Sequence, residues 1–265
     1  MRFIITCFLM SVLHFYNCNA QDNRIKLSEI INDIYFPLFN MKKTILLIFL
    51  CLVIQSCNSQ KKDLSQITFS EKHDTFFGNI PNKFRLSIDA KTYTGYYKSE
   101  ADQILNFNDV SISDYKNEKG GFGTNSVAFA FTKKDSVLCE YIVYLYTHKS
   151  IEKIISALNS KLGKAKFVRK FHQTDKLPDA YLWKNNHIIY LLNGASQHAA
   201  WLTVFDTNRQ ELYENRISGS FQYYYDYLEY LKKHQKTDKQ ISFYQYAKIE
   251  ESEGSNYVIN SYVKP

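Results

Sequence analysis

The chain has 265 residues, and its 33 Lys and Arg residues against 26 Asp and Glu residues give a formal net charge of +7 at pH 7. Residues 58–265 alone are long enough for one domain or two small ones, and such a chain buries roughly 70% of its surface on folding. This length excludes a small scaffold that depends on disulfides or a structural metal.

Residues 1–40 begin with a signal-like segment. Arg2 precedes the apolar run Phe3–Leu13, and Ala20 follows a few residues later, which is the layout of a simple secretory signal. A second signal begins at Met41, and cleavage after Ala20 would leave that second signal inside the chain. We therefore expect synthesis to begin at Met41, with residues 1–40 an upstream extension or the remnant of another signal.

Residues 41–56 have a basic start, Lys42 and Lys43, and then an unbroken apolar run from Ile45 to Ile54. A membrane-spanning helix needs about 20 apolar residues, and this run is much shorter. An apolar core between a basic start and a small residue is the layout of a secretory signal. The segment 41–56 is therefore predicted to be an export signal rather than a membrane span.

The signal ends in Ile54-Gln55-Ser56-Cys57, with an aliphatic residue three positions before the cysteine and a small residue directly before it. This ending resembles the signal of bacterial lipoproteins. The resemblance implies that a diacylglycerol is attached to Cys57, and that a dedicated peptidase cuts before it. It also implies a membrane partner through the lipid anchor.

Residues 57–66 are predicted to be the lipidated cysteine and a polar tether, because they show no apolar periodicity. The nine residues after Cys57 reach about 30 Å at full extension, enough to hold a domain clear of lipid headgroups. Asn58 does not resemble the aspartate that retains lipoproteins in the inner membrane. The expected location is the cell envelope, at the inner leaflet of the outer membrane facing the periplasm.

Residues 67–265 are predicted to form a single domain. Strand-like alternation occurs in four segments of its first half: 83–89, 91–97, 126–132 and 137–147. Ser150 is predicted to cap a helix that ends before Gly163 and carries apolar residues at helical spacing. Further strands are predicted at 166–171, 180–184, 187–192 and 200–206, with Asn185-Asn186 as a tight hairpin turn.

A second helix is predicted from Phe221 to Leu231, again from apolar residues at helical spacing. Residues 241–249 and 257–263 are predicted to form a closing hairpin. The order of elements lacks the regular alternation of strand and helix that a parallel sheet requires. The predicted fold class is therefore α+β, with a largely antiparallel sheet and about two helices packed on one face.

No motif for chemistry is recognisable. Ser218-Gly219-Ser220 lacks the frame of a nucleophile elbow, and Gly120–Gly123 lacks the spacing of a phosphate-binding loop. His187 and His198 could converge with Asp179 or Asp206, but partly exposed strand residues are the simpler interpretation. No metal and no cofactor is predicted.

Cys139 lies within an apolar, strand-like run and has no cysteine partner after Cys57. A buried, unreactive thiol is therefore predicted at this position.

Without residues 1–57, the remaining 28 Lys and Arg residues and 23 Asp and Glu residues carry a net charge of +5. Two short basic clusters, 164–170 and 232–236, are interpreted as solvated faces, so no nucleic-acid partner is predicted.

Aromatic residues are abundant, with 21 Tyr and 19 Phe in the chain. Codon bias toward A and T would explain part of this surplus. Trp183 and Trp201 are candidates for stacking on sugars or for contact with a protein. Tyr223, Tyr227 and Tyr230 form a stripe on the second helix and are the predicted partner surface.

Two functions are considered in detail, and a third, binding of a small ligand between the sheet and the helices, stays open without a specific observation behind it. The first is a non-catalytic envelope lipoprotein, a binding or accessory protein with an unknown protein or glycan partner. The alternative is an envelope enzyme that acts on glycan or cell-wall material through dispersed carboxylates such as Asp179 and Asp206. The absence of a recognisable catalytic motif favours the binding protein.

Overall fold

The computed structural model describes residues 61–87, 91–117, 123–170, 174–175, 177–234 and 241–262. The two predicted signals, Cys57 and the first part of the tether lie outside the described residues. Among those that are described, no helix combines the length and the apolar composition that crossing a membrane requires.

The first half of the domain is mostly strands. A single 3-10 turn, Leu64–Gln66, opens it. The elements that follow are α1 (His73–Phe76), β1 (Lys83–Leu86), β2 (Tyr93–Ser99), β3 (Asn106–Phe107), β4 (Val110–Ser111), β5 (Ser126–Thr132), β6 (Leu138–Leu145) and α2 (His148–Leu162).

The second half adds four strands and then four helices. These elements are β7 (Phe167–Arg169), β8 (Ala180–Asn185), β9 (Ile188–Asn193), β10 (Ala200–Asp206), α3 (Gln210–Ile217), α4 (Gln222–Lys233), α5 (Phe243–Ser252) and α6 (Tyr257–Ser261). A 3-10 turn, Gly219–Phe221, separates α3 from α4.

Eight strands form one sheet in the order β1-β2-β5-β6-β10-β9-β8-β7, and β3 pairs with β4 in a separate hairpin. Every strand pair is antiparallel. The predicted mixed fold with a largely antiparallel sheet is therefore confirmed. In the β8–β9 hairpin, Asn185 pairs with Ile188, so the turn is Asn186-His187, one residue later than predicted, and Asn186 takes the left-handed φ of +52°.

Both faces of the sheet are covered. Successive strand residues point to opposite faces, and Tyr190 and Leu192 belong to one apolar core while Ile189 and Leu191 belong to the other. Helix α2 packs in the first core, and residues of α3–α6 pack in the second. Helices on one face alone are therefore not confirmed. All seven residues of β5 are buried, so each side of the central strands needs a cover.

Helix α2 is the most regular predicted element that the structure contains. It begins three residues earlier than predicted, because the cap is Thr147 rather than Ser150, and the Thr147 hydroxyl accepts a hydrogen bond from the Ser150 amide at 3.1 Å. The Ser150 hydroxyl instead donates to the Asp114 carboxylate at 2.9 Å. Gly163 follows the last turn with a φ of +78°, as a C-terminal glycine should.

The predicted C-terminal hairpin is wrong, because residues 243–252 and 257–261 form helices α5 and α6. Ser242 and Gln245 make a capping box that starts α5: the Gln245 amide donates to the Ser242 hydroxyl, and the Ser242 amide donates to the Gln245 side chain. Phe243, Tyr246 and Ala247 are buried at helical spacing. The strand prediction came from aromatic residues at alternate positions, a spacing that is also typical of strands.

The last residues of the predicted tether are part of the folded domain. Leu64 is only 1% exposed, and its carbonyl accepts a hydrogen bond from the buried Tyr141 hydroxyl at 2.9 Å. Asp63 accepts hydrogen bonds from the backbone amides of Ser65, Asn108 and Asp109. Residues 62–66 are therefore packed against the folded domain and do not form an extended spacer.

Candidate functional site

Helix α3 lies over the central strands on the second face of the sheet. Cross-strand pairing places Tyr96 of β2, Ala130 of β5 and Glu140 of β6 in one row across that face. A second row contains Ser126, Tyr144, Trp201 and Asn193, from β5, β6, β10 and β9. Small side chains such as Ala130 leave room between the sheet and α3.

Arg216, in the last turn of α3, connects the helix to the sheet. Its Nε donates to Glu140 Oε1 at 2.5 Å, and its Nη2 donates to Glu140 Oε2 at 2.9 Å. Nη2 also donates to the hydroxyls of Tyr93 and Tyr96, at 2.7 and 2.9 Å. Glu140 is completely buried, whereas the Arg216 side chain is 30% exposed. The ion pair is therefore anchored in the interior and reaches solvent at its guanidinium.

Two tyrosine hydroxyls complete this polar network. The Tyr96 hydroxyl donates to Glu140 Oε2 at 3.1 Å, and it also makes a hydrogen bond with the Tyr93 hydroxyl. Burial first, and then the Glu140 charge, raises the pKa of both Tyr93 and Tyr96. For Arg216, burial opposes the charge, but the hydrogen bonds and charge of Glu140 outweigh it and raise the pKa. The tyrosines are thus neutral hydroxyls beside a permanently charged guanidinium.

Two open cavities lie beside Arg216, each of about 320 Å³. The first, which we name the Trp201 cavity, is lined by sheet residues that include Tyr144, Asn193 and Trp201. The second, named the Tyr96 cavity, is lined by Lys91, Thr92, Tyr93, Tyr96 and Glu211 among others. Asn215 and Arg216 line both cavities.

Trp201 is the dominant apolar group of its cavity, with 44% of its surface exposed although it lies in a strand of the sheet. Gly194 lies against it: a Cβ on this glycine would come within 3.5 Å of the indole and within 2.6 Å of the Ala199 carbonyl oxygen. Asn193 and Asn215 add amides next to the ring, and Arg216 adds a cation. A flat ring flanked by hydrogen-bonding groups is suited to a ligand with one apolar face and a polar edge.

A third cavity, of about 430 Å³, lies beside α2, which packs on the opposite face of the sheet. It is lined by Ile151, Ile155, Leu177 and Tyr181, among others, and by His148, whose ring is 5.0 Å from that of His198. The cavity lacks the buried ion pair of the first two, and its lining is more apolar.

The two predicted tryptophans have different surroundings. Trp183 is 1% exposed and its indole nitrogen donates to Asn159 Oδ1 at 3.0 Å, so Trp183 is a core residue. Trp201 is the tryptophan that a ligand can reach. The two tryptophans differ in burial, and this difference could not be predicted from the sequence alone.

The predicted partner surface, Tyr223, Tyr227 and Tyr230, is half-buried by the protein itself. Tyr227 and Tyr230 pack against Tyr246 of α5, with ring centroids 5.7 and 5.3 Å apart. The Tyr227 hydroxyl donates to the Ile241 carbonyl at 2.7 Å. Two of the three rings therefore contribute to helix packing, and contact of this stripe with a partner stays a prediction.

The dispersed carboxylates do not converge. Asp179 precedes β8, and its carboxylate accepts a hydrogen bond from Ser196, whereas Asp206 ends β10 near His187. The strand register separates the two carboxylates by about 20 Å, and glycosidases need about 5–10 Å. His187 lies beside Asp206, with 4.0 Å between Nε2 and Oδ2, but His187 and His198 are at opposite ends of the strands and do not converge with each other.

Cys139 is confirmed as a buried thiol. Burial, followed by the neighbouring Glu140 charge, raises its pKa to about 12, and the thiol donates to the Ala130 carbonyl. Within the part of the chain that the structure describes, no group of three metal-ligating side chains is close enough to hold an ion.

Sequence reasoning missed Glu140 and Arg216. One signal was available, because Glu140 is the only charged residue in the apolar run 137–147, and a charge in such a run must be paired. Nothing in the sequence pointed to its partner Arg216, which lies 76 residues later in a helix that was not predicted.

No protein-family model, no curated protein and no solved structure matches this chain.

Proposed function

We propose that the protein is a lipid-anchored protein of the bacterial cell envelope. The segment 41–56 is its export signal, Cys57 carries the lipid, and the folded domain faces the periplasm from the inner leaflet of the outer membrane. The support is the basic start, the short apolar run and the cysteine that follows a small residue.

The domain is a non-catalytic binding protein whose ligand is a glycan, held in the Trp201 cavity. The observation that carries this proposal is the exposed Trp201 ring on a sheet face, with the amides of Asn193 and Asn215 and the guanidinium of Arg216 beside it. A sugar ring has an apolar face of C–H groups and a rim of hydroxyls. The indole accepts the face, and the polar side chains accept and donate at the rim.

The arrangement favours binding over catalysis. Glu140, the buried carboxylate of the site, is already bonded through both oxygens to Arg216. Because burial and the Glu140 charge raise the pKa of Tyr96, its hydroxyl stays protonated near neutral pH and supplies no phenolate to act as a general base. The alternative, an enzyme using Asp179 and Asp206, has no support from their positions at opposite ends of the strands.

Glycan binding is tested by screening the full chain, in detergent, against an array of envelope-derived and neutral glycans. We expect retention of at least one glycan class, and loss of that binding by about tenfold or more in Trp201→Ala. Tyr257→Ala is the matched control, because Tyr257 is an even more exposed aromatic residue on α6, remote in sequence from the cavity lining. Equal losses in both variants, or none in Trp201→Ala, would refute the proposal.

The anchor is tested by growing cells with a fatty-acid analogue and comparing the wild type with Cys57→Ser. We expect label in the wild type and none in the variant. Label that persists in Cys57→Ser would refute lipidation at this position. Peptides from residues 22–40 recovered in the mature protein would refute the proposed start at Met41.

A further inference from the structure

We infer that the Trp201 cavity and the Tyr96 cavity are two subsites of one groove, so that the ligand is a neutral oligosaccharide rather than a single sugar. This inference rests on the proposed function. Its first support is that Asn215 and Arg216 line both cavities. The two cavities are therefore adjacent and share the wall formed by these two residues.

The strand register gives the length of the groove. Trp201 is on β10 and Tyr96 is on β2, three strand spacings apart in the sheet, and their rows are separated by four residues along β10. With strands about 4.8 Å apart and about 3.3 Å per residue, the two rings are about 20 Å apart at their backbones. One hexose ring is much shorter than this, and three or four linked rings cover it.

The Tyr96 cavity has the chemistry of a second sugar subsite. Thr92 donates its hydroxyl to Glu211 Oε2 at 2.7 Å, and both residues line the cavity. The cavity offers hydroxyls, a carboxylate and the Lys91 ammonium, with no exposed tryptophan. It is therefore suited to the hydroxyl rim of a sugar, while the Trp201 ring holds the apolar face of another.

Charge balance selects a neutral ligand. Arg216 is neutralised by Glu140, and Lys91 is matched by Glu211 on the same cavity. Among the described lining residues, neither cavity has a surplus of positive charge to hold a carboxylate or a phosphate. Arg216 Nε and Nη2 donate to Glu140 and the two tyrosines, whereas Nη1 has no acceptor among the described residues. Nη1 can therefore donate to a ligand hydroxyl at the junction of the two cavities.

The test is isothermal titration of the full chain in detergent with N-acetylglucosamine and its linear oligomers up to the tetramer, and with the matching glucose series. The variants are Trp201→Ala and Glu211→Ala. Glu214→Ala is the control, because Glu214 is also exposed on α3 but lines neither cavity.

We expect affinity to rise about tenfold or more from the monosaccharide to the tetramer in at least one series. Glu211→Ala should weaken the tetramer about three- to tenfold, leave the monosaccharide unchanged and differ from Glu214→Ala. Equal affinity for monomer and tetramer, or no effect of Glu211→Ala on the tetramer, would overturn the two-subsite inference while leaving single-site binding intact. No binding in either series, or binding that Trp201→Ala does not weaken, would overturn both proposals.

Discussion

Replacing Arg216 by methionine should destabilise the domain strongly. Methionine keeps much of the apolar stem but removes the guanidinium, and the Glu140 carboxylate is left completely buried with the Tyr96 hydroxyl as its remaining donor. Breaking a buried ion pair by removing one partner costs about 3–5 kcal/mol. Because the Arg216 side chain is 30% exposed, water can replace part of the lost interaction, and we expect about 2–4 kcal/mol.

The assay is equilibrium unfolding in urea near neutral pH, followed by circular dichroism. Arg85→Met is the matched control, because Arg85 is exposed on the edge strand β1, and it should change stability by less than about 0.5 kcal/mol. Adding Glu140→Gln to Arg216→Met should restore a large part of the loss, because it removes the buried charge. An Arg216→Met variant as stable as the wild type, or no recovery of stability when Glu140→Gln is added, would refute the reasoning.

Three further predictions concern groups outside the groove. The Cys139 thiol, with its pKa raised to about 12 by burial, should resist alkylation in the folded protein at about pH 8 and react after denaturation, as measured by mass spectrometry of its peptide; rapid labelling of the native chain would contradict its burial. Burial opposes ionisation of Asp63, but hydrogen bonds from Ser65, Asn108 and Asp109 outweigh it and lower its pKa, so its stabilisation is complete above about pH 3.8 and is lost as the pH falls through the folded-state value. Asp63→Asn should therefore cost about 1–2 kcal/mol near neutral pH in urea unfolding, with the difference from wild type shrinking below about pH 3; an unchanged difference in acid would show that the charge is not responsible. Asn125 is buried, and its side-chain amide makes hydrogen bonds with Ile112, Ser150 and Tyr146, so Asn125→Ala should cost about 2–4 kcal/mol of stability. Asn208 is exposed and makes its turn hydrogen bond through the backbone amide, so the control Asn208→Ala should cost less than about 0.5 kcal/mol. A loss below about 1 kcal/mol in Asn125→Ala would contradict the role of the three bonds.

The position of the groove follows from the unequal cover on the second face. Four aromatic rings surround Phe167 of the edge strand β7: Tyr224 of α4, Phe243 of α5, Phe221 just before α4 and Tyr262 just after α6. Helix α3 instead packs on β10, and its Arg216 bonds Glu140 of β6. The sheet face at Trp201 and Tyr144 is consequently left accessible beside the end of α3.

Local sequence patterns predicted those helices and strands whose sequence signals lie within or directly beside the element itself. Helix α2 and strands β5, β6, β8, β9 and β10 were recognisable because their periodicity, caps and turn residues are local. The same local reasoning predicted a strand at 241–249, where α5 lies, because alternating aromatic residues fit both patterns and the capping box was not considered. The predicted export and lipidation also rest on a linear signal, and that prediction needs no knowledge of the fold.

Tertiary structure alone decided which polar residues meet. Glu140 and Arg216 are 76 residues apart, and Tyr93 and Arg216 are 123 apart, so no spacing rule joins them. It also decided which tryptophan is exposed, since Trp183 and Trp201 both lie in strands with apolar neighbours. A strand sequence specifies two faces, but only the packing of helices over the sheet determines which part of each face remains open to a ligand.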